Sequence, residues 1–156
     1  MGYIIDELSP LLFLDVDGVL LPLGVGGRDG YERARAGPYA VWVTHARRAA
    51  ARTLADAFEV HWVTSWNEDA NTDVAPLFEL PRFPVLDVQA HHMKLDVVRT
   101  FAPAGRPLAW VDDRLEPEAM LWGRERSSRT LLLAPDPHIG LTPAEVERLL
   151  AFAAGA

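Results

Sequence analysis

Residues 11–20 read LLFLDVDGVL, an apolar run that ends in Asp15, Asp17 and Gly18. A short, continuous apolar run of this kind is typical of a strand that is buried on both faces of a parallel sheet. Four similar runs follow along the chain: Val60 to Thr64, Phe83 to Val88, Leu108 to Val111, and Thr130 to Ala134. The chain therefore has five candidate strands, and the first carries carboxylates at its end.

Stretches with helical spacing separate these runs. Between Ala46 and Phe58 the apolar residues recur at intervals of three and four, which indicates an amphipathic helix. The last helix is marked by a capping box, Thr142 with Glu145, and by Pro143 in its first turn. Alternating strands and helices predict an α/β fold: a Rossmann-like three-layer sandwich with a five-stranded parallel sheet and helices on both faces.

Length and composition indicate an ordinary globular protein. The 156 residues suit one domain covering 1–156, and a formal charge of −7 argues against a protein that coats nucleic acid through a uniformly basic surface. The lack of cysteine excludes disulfides, thiolate metal sites and a cysteine nucleophile. Met1 to Pro10 does not resemble a signal peptide, and no run is long enough to span a membrane. We therefore expect a cytoplasmic protein without membrane association or an obligate protein partner.

One glycine-rich stretch, Pro22 to Pro38, breaks the alternation of strands and helices. It predicts a loop or hairpin flap at about 18–44, and the chain leaves no room for a separate cap domain. Five arginines in or near it can contact the phosphates of a long substrate, although a solvated charged face is the commoner role of such clusters: Arg28, Arg33, Arg35, Arg47 and Arg48.

Polar residues follow three of the five predicted strands. In an open parallel sheet the carboxyl ends of the strands share one edge, where ligands bind. That edge would receive Asp15 and Asp17, then Thr64 and Ser65, then Asp112 and Asp113. Four carboxylates that converge there repel one another and need cations, and a hard ion such as magnesium suits oxygen ligands.

Lys94 is the second expected source of positive charge at this edge. It opens the helical stretch after the third run, and it is the only lysine among fifteen basic residues. A compact ammonium group differs chemically from a planar guanidinium, so a lysine kept where arginine is otherwise used indicates a specific role. The alternative is chance survival on a solvated helix.

The order of these motifs resembles that of the haloacid dehalogenase-like superfamily of phosphohydrolases. Asp15-Val16-Asp17-Gly18-Val19-Leu20 is similar to its first motif, Thr64 to its hydroxyl motif, Lys94 to its lysine motif and Asp112-Asp113 to its acidic motif. More narrowly, the chain resembles compact phosphatase domains associated with RNA repair, including Gly140-Leu141-Thr142 before the last helix.

This resemblance implies a role for each matching residue. Asp15 would be the nucleophile that forms an aspartyl-phosphate, and Asp17 the general acid and base. Thr64 and Lys94 would contact the transferred phosphoryl group, while Gly18 allows a sharp turn beside it. Mg²⁺ would be bound by Asp112, Asp113 and Asp15 with the backbone carbonyl of Asp17, and which of Asp112 and Asp113 binds directly is left open.

Several residues near these motifs keep more than one interpretation. Ser65 is the substitute for Thr64 if the register is shifted by one residue, and it is also a candidate substrate-binding residue. Trp66 can stack on a base or an aromatic leaving group, although core packing is the commoner role of such a residue. The histidines have no metal-ligand spacing and are expected on the surface or in the core: His45, His61, His91, His92 and His138.

The sequence thus predicts a magnesium-dependent phosphatase that acts on a phosphomonoester. Without a cap domain the site would be open, which suits a large or exposed substrate such as a nucleic-acid end or a phosphoprotein. Two alternatives stay open: a phosphatase for small metabolites or nucleotides, and a signalling or binding domain that carries a phospho-aspartate without hydrolysing it. A signalling receiver domain would present its acidic pair before the phosphorylated aspartate, whereas here the pair comes last.

Overall fold

The computed structural model of this chain describes residues 9–89 and 93–155. The predictions that the N-terminus lacks a signal peptide and that His91 and His92 are not metal ligands concern residues largely outside these ranges. Among the helices within them, none is long and apolar enough to cross a membrane.

The central element is a sheet of four parallel strands. In chain order the strands within the described ranges are β1 (Leu11–Leu14), β2 (Glu32–Ala36), β3 (Tyr39–Val43), β4 (Glu59–Trp62), β5 (Leu108–Val111) and β6 (Thr130–Leu133). The parallel sheet has the order β4-β1-β5-β6, and β2 and β3 form a separate antiparallel hairpin. Since β1 and β5 are the inner strands, the residues that follow them lie at the middle of the sheet edge.

The prediction of a fifth parallel strand at Phe83 to Val88 is wrong. Within this run only Val85 forms a bridge, with Trp62 of β4. The Trp62 N–H donates to the Pro84 carbonyl at 2.9 Å, and the Leu86 N–H donates to the Trp62 carbonyl at 2.9 Å. The pairing stops there because Pro84, whose carbonyl accepts from Trp62, has no N–H for a further ladder bond. The N–H of Phe83 donates to the Asn71 side chain. Pro84 within the run is the sequence signal that argues against a full strand.

The described residues form four α-helices: α1 (His45–Ala57), α2 (Lys94–Phe101), α3 (Pro117–Glu125) and α4 (Pro143–Ala153). The first three lie between parallel strands, and α4 follows β6. A π-helical turn, Ala70–Val74, and a 3₁₀ turn, Ala75–Phe78, follow β4. The predicted helix between Ala46 and Phe58 is confirmed as α1. The predicted capping box of α4 is also confirmed, because the Thr142 side chain accepts from the Glu145 N–H and the Glu145 side chain accepts from the Thr142 N–H.

Helices cover both faces of the parallel sheet, as predicted. Alternate residues of a strand point to opposite faces, and along β1 Leu12 and Leu14 belong to one apolar cluster while Leu11 and Phe13 belong to another. The first cluster includes Leu54 of α1 and Leu149 of α4, and the second includes Val98 of α2 and Ala119 of α3. The molecule is thus an α/β protein with a four-stranded parallel core, consistent with a Rossmann-like arrangement.

The predicted flap region contains the β2–β3 hairpin. Between β1 and α1 the described chain consists of loops and this hairpin, whose residues Ala36 and Val43 are buried in the first apolar cluster. The hairpin is therefore anchored to the core, and Tyr39 at the start of β3 remains 60% exposed.

Candidate active site

The pairing of β1 with β5 brings Asp15 and Asp112 together. Leu14 is in register with Val111, so the residue after each strand lies at the same level of the sheet edge, and the Asp15 N–H donates to the Val111 carbonyl at 3.0 Å. Asp113 follows directly. Carboxylate oxygens of Asp15, Asp112 and Asp113 lie within 4.8 Å of one another. These three residues, called here the acidic cluster, meet where the sequence predicts a metal site.

Lys94 supplies the positive charge that contacts this cluster. It is the first residue of α2, and its Nζ lies 2.6 Å from Asp112 Oδ2 and 3.1 Å from Asp15 Oδ2. Its ammonium group thus bridges two carboxylates from neighbouring strands. A position at the cluster is what the sequence predicts for the only lysine of the chain.

Burial makes the charges of this cluster costly. Asp15 is 5% exposed and Asp112 is 1% exposed. Burial, followed by the charge of Asp112, raises the pKa of Asp15 to about 7, despite the opposing effect of Lys94. The pKa of Asp113 is raised for the same two reasons. Burial alone would lower the pKa of Lys94, but the two carboxylates outweigh it and raise that pKa above its ordinary value.

Further hydrogen bonds orient the carboxylates. Asp15 Oδ1 accepts from the Val16 N–H at 2.8 Å, and Asp112 Oδ1 accepts from the Arg114 N–H at 2.9 Å. Asp15 and Asp112 therefore each use one oxygen for a backbone donor and the other for Lys94. An ionised carboxylate has about four lone-pair sites, so lone pairs remain for a further ligand.

The side chain of Asp17 makes a different contact. Its Oδ2 accepts a hydrogen bond of 3.0 Å from the indole Nε1 of Trp66, a residue 49 positions away. Asp17 lines the same cavity as the acidic cluster, but its carboxylate is held by the loop after β4. The predicted metal contact of Asp17 involves its backbone carbonyl and stays a prediction.

Gly18 lies against the acidic cluster. Its φ is +75°, a left-handed conformation that favours glycine, and its N–H donates to the Leu21 carbonyl at 2.8 Å. A Cβ atom built on Gly18 would lie 2.5 Å from Asp113 Oδ2, closer than real Cβ contacts. The sharp turn expected at Gly18 is present, and the missing side chain leaves space for the Asp113 carboxylate.

The two hydroxyls after β4 have different surroundings. Thr64 is fully buried, and its Oγ1 accepts from the Trp66 N–H at 3.3 Å. Ser65 is exposed and lines the cavity of the acidic cluster. A direct contact between Thr64 and a bound phosphate would therefore need a small opening of this loop, whereas Ser65 already lies at the cavity.

The acidic cluster lines a cavity of about 530 Å³, with Lys94 and Ser65 also in its wall. A second depression of about 760 Å³, called here the hairpin groove, adjoins it and contains Tyr39, Trp42 and Trp66. The two spaces share Asp17, Leu23 and Ser65. The site therefore continues from a charged cavity into an aromatic groove under the hairpin.

The arginines and histidines of the described chain lie mostly away from the cluster. Arg47 is buried, contrary to the solvated role expected of it, and donates to the carbonyls of Ile139 and Leu141. Arg48 donates to the Leu77 carbonyl. His61 is buried, and among the described residues no histidine joins the possible metal-binding groups. Arg33 and Arg35 of the hairpin are exposed, so they are accessible to the phosphates of a long substrate.

The chemistry of the acidic cluster fits a hard divalent cation. Its donors are carboxylate oxygens, the ligands that Mg²⁺ prefers, and their mutual repulsion is compensated in part by one ammonium group. Burial, followed by the charge of Asp112, raises the pKa of Asp15, so its ionised form is disfavoured while no cation is bound. A cation bound by Asp15, Asp112 and Asp113 would compensate their negative charge.

Comparison of the sequence with protein-family models gives no match, and no curated protein matches it. Only the residues and their geometry therefore indicate what this chain does.

Two contacts of this site were not predicted from the sequence. The Trp66 indole reaches Asp17, and the Arg114 N–H reaches Asp112. The second has a local signal, because an aspartate side chain often accepts from the N–H two residues later. The first joins residues in two separate loops, and no local pattern indicates it.

Proposed function

We propose that this chain is a magnesium-dependent phosphohydrolase of the haloacid dehalogenase-like type, with Asp15 as its nucleophile. One observation carries the proposal: the Asp15 carboxylate lies 3.1 Å from Lys94 within the acidic cluster, of which Asp15 and Asp112 are buried, and Asp17 lines the same cavity. A nucleophilic carboxylate, a separate carboxylate for proton transfer and a fixed cation are the groups that phosphoryl transfer through an aspartyl-phosphate requires.

In the first step an oxygen of Asp15 bonds to phosphorus, and the bond from phosphorus to the leaving oxygen breaks. Asp17 gives its proton to that leaving oxygen. In the second step a water molecule attacks phosphorus, Asp17 takes a proton from the water, and the bond between phosphorus and Asp15 breaks. Splitting the displacement in this way replaces one difficult step by two easier ones.

The remaining residues stabilise charge during these steps. Lys94 contacts both Asp15 and Asp112, so it is placed to contact a phosphoryl oxygen bound beside Asp15. Ser65 lies in the cavity wall, directly after Thr64, and its hydroxyl group donates to an oxygen of the bound phosphate. Mg²⁺ bound by Asp15, Asp112 and Asp113 would neutralise charge on the phosphate when present.

The open surroundings of the site favour a large substrate. The cavity of the acidic cluster continues into the hairpin groove, and Tyr39 and Leu23 at this groove are exposed. A phosphorylated nucleic-acid end or a phosphoprotein can project from such a site, whereas a small metabolite would stay exposed to water. We therefore propose a large phosphomonoester as the substrate.

The decisive experiment combines turnover with trapping of the intermediate. Wild type should hydrolyse p-nitrophenyl phosphate only with Mg²⁺, and Asp15→Asn should fall to the background rate. Asp56→Asn, at an exposed position of α1, is the matched control and should keep full activity. Asp17→Asn should accumulate a covalent adduct heavier by one phosphoryl group, visible by mass spectrometry of the acid-quenched protein.

Other outcomes separate the alternatives. Full activity of Asp15→Asn contradicts the mechanism. A stable adduct on the wild-type protein without turnover would favour the signalling or binding alternative. A panel of phosphorylated oligonucleotides, phosphopeptides and metabolites then tests the substrate, and a preference for metabolites would contradict the proposal of a large one.

A further inference from the structure

Trp66 joins the loop after β4 to the carboxylate of Asp17. Its Nε1 donates to Asp17 Oδ2 at 3.0 Å, and the ring is half-buried at the boundary where the cavity of the acidic cluster meets the hairpin groove. This contact is additional to the roles that the sequence predicts for Trp66, stacking or core packing.

The backbone of Trp66 is held from within its own loop. Its N–H donates to Thr64 Oγ1 at 3.3 Å, and its carbonyl accepts from the Asp69 N–H at 3.0 Å. The next residue, Asn67, has a φ of +50°, and its N–H donates to the Thr64 carbonyl at 3.1 Å. These bonds form a tight turn that determines where the indole ring leaves the backbone.

The hairpin holds the same ring from the outside. Tyr39 packs edge-on against Trp66, with ring centroids 5.5 Å apart and an interplanar angle of 77°, a favourable geometry for two aromatic rings. The strand that carries Tyr39 is anchored by pairing with Ala36, which is fully buried. Trp66 is thus held between a rigid turn and an anchored hairpin.

An indole N–H is a donor and never an acceptor. While it donates to Asp17 Oδ2, that oxygen is best occupied as the unprotonated carbonyl oxygen, so a proton carried by this carboxyl group is favoured on Oδ1. We propose that Trp66 is a positioning residue that holds Asp17 in the orientation for proton transfer through Oδ1, with Tyr39 as its support. This inference rests on the proposed function, in which Asp17 protonates the leaving oxygen.

The test uses the dependence of the first step on the leaving group. An alkyl phosphate releases a strongly basic alkoxide that needs the proton of Asp17, whereas p-nitrophenolate leaves without one. Trp66→Phe keeps the ring and removes the N–H. For this variant we expect the single-turnover rate of aspartyl-phosphate formation to fall about 10- to 100-fold with glycerol phosphate. With p-nitrophenyl phosphate the rate should stay within about twofold of wild type, since general acid catalysis is not used.

Two further variants separate positioning from a loss of structure. Trp42→Phe changes another tryptophan of the hairpin groove and should leave the ratio of the two rates unchanged. Tyr39→Leu removes the edge contact from an exposed position and should lower the glycerol phosphate rate selectively, while Tyr39→Phe, which keeps the ring, should restore it. Circular dichroism spectra and melting temperatures confirm that each variant is folded.

The results distinguish this inference from the proposed function. An equal loss with both substrates, or no loss with glycerol phosphate, overturns the positioning role and leaves the proposed phosphatase in place. If wild type forms no aspartyl-phosphate from either substrate, the proposed function fails and this inference fails with it.

Discussion

The carboxylate of Asp113 occupies the space that a side chain on Gly18 would fill. A Cβ atom on Gly18 would lie 2.5 Å from Asp113 Oδ2, and Gly18 has a φ of +75°. The turn after Asp15 and the acidic pair after β5 are therefore in direct contact, and a change in one displaces the other.

Gly18→Ala should weaken binding of Mg²⁺ at the proposed metal site more than it destabilises the fold. We expect a loss of about 1 to 2 kcal/mol in the free energy of unfolding from the left-handed backbone, and at least about a tenfold loss of Mg²⁺ affinity from displacement of Asp113. Urea unfolding and calorimetric titration measure the two effects. Gly27→Ala is the matched control, because Gly27 has a φ of +78° and no atom within 4 Å of the added Cβ. Equal Mg²⁺ affinity in the two variants would contradict the role given to this contact.

The two residues of the acidic pair should differ in role: Asp113 should serve mainly in metal binding, and Asp112 should also stabilise the fold. Both carboxylate oxygens of Asp112 accept from protein donors, whereas Asp113 is less buried. Asp113→Asn should weaken Mg²⁺ binding about tenfold or more with little effect on the unmetallated fold. Asp112→Asn should also lower the melting temperature, because it weakens the pairing with Lys94. Titration calorimetry and thermal melts in EDTA test this, and equal melting temperatures would contradict it.

Lys94 should not be replaceable by arginine. Its compact ammonium lies between Asp15 and Asp112, and a planar guanidinium cannot occupy the same point between two carboxylates without moving them. We expect Lys94→Arg to lower kcat/KM about tenfold or more, and Lys94→Met to lower it further. Arg99→Lys, at an exposed position of the same helix, is the control for a change of basic residue on α2. A fully active Lys94→Arg would show that only charge matters here.

Asp15 should make the metal-free protein less stable as the pH rises. Its pKa is about 7 in the fold against an ordinary value of 3.8, so between these values the folded state binds more protons than the unfolded chain. The free energy of unfolding therefore decreases as the pH rises from about 4 to about 7. Asp113, whose pKa is raised too, acts in the same direction.

Asp15→Asn should remove the contribution of Asp15 to this pH dependence of the free energy of unfolding. In EDTA the variant should be more stable than wild type by about 1 to 3 kcal/mol at pH ~8, and the difference should diminish towards pH ~5. Urea unfolding across this range is the measurement, with Asp56→Asn as control. Parallel pH profiles for wild type and Asp15→Asn would contradict the raised pKa.

Asn71 should be a structural requirement at the edge of the sheet. Its side chain accepts from Trp62 Nε1 at 2.8 Å and from the Phe83 N–H at 2.9 Å, and it donates to the Phe83 carbonyl at 2.8 Å. Asn71→Ala leaves these buried groups without partners, so we expect a loss of about 2 to 4 kcal/mol in urea unfolding. Thr72→Ala, at the adjacent exposed position, should change stability by less than about 0.5 kcal/mol.

The strands and helices that the sequence predicted correctly are those with signals from neighbouring residues. Four of the five apolar runs contain strands, and the Thr142–Glu145 capping box is formed as predicted. The run at Phe83 to Val88 was the exception, because the carbonyl of Pro84 faces β4 but Pro84 has no N–H for a further ladder bond. Apolar content predicts that a segment is buried, but whether the segment extends a sheet depends on whether its backbone can form the ladder hydrogen bonds.

For the site, the sequence alone determined which groups stand at the strand ends: Asp15, Lys94, Asp112 and Asp113 each begin or follow a predicted element. These positions depend on short-range signals, and the shared edge of parallel strands makes their meeting predictable. Only the tertiary structure decided that Trp66 reaches Asp17, that Tyr39 packs on Trp66 and that Gly18 leaves space for Asp113. Such contacts join segments far apart in the chain, and their geometry depends on how the loops pack, which no local pattern encodes.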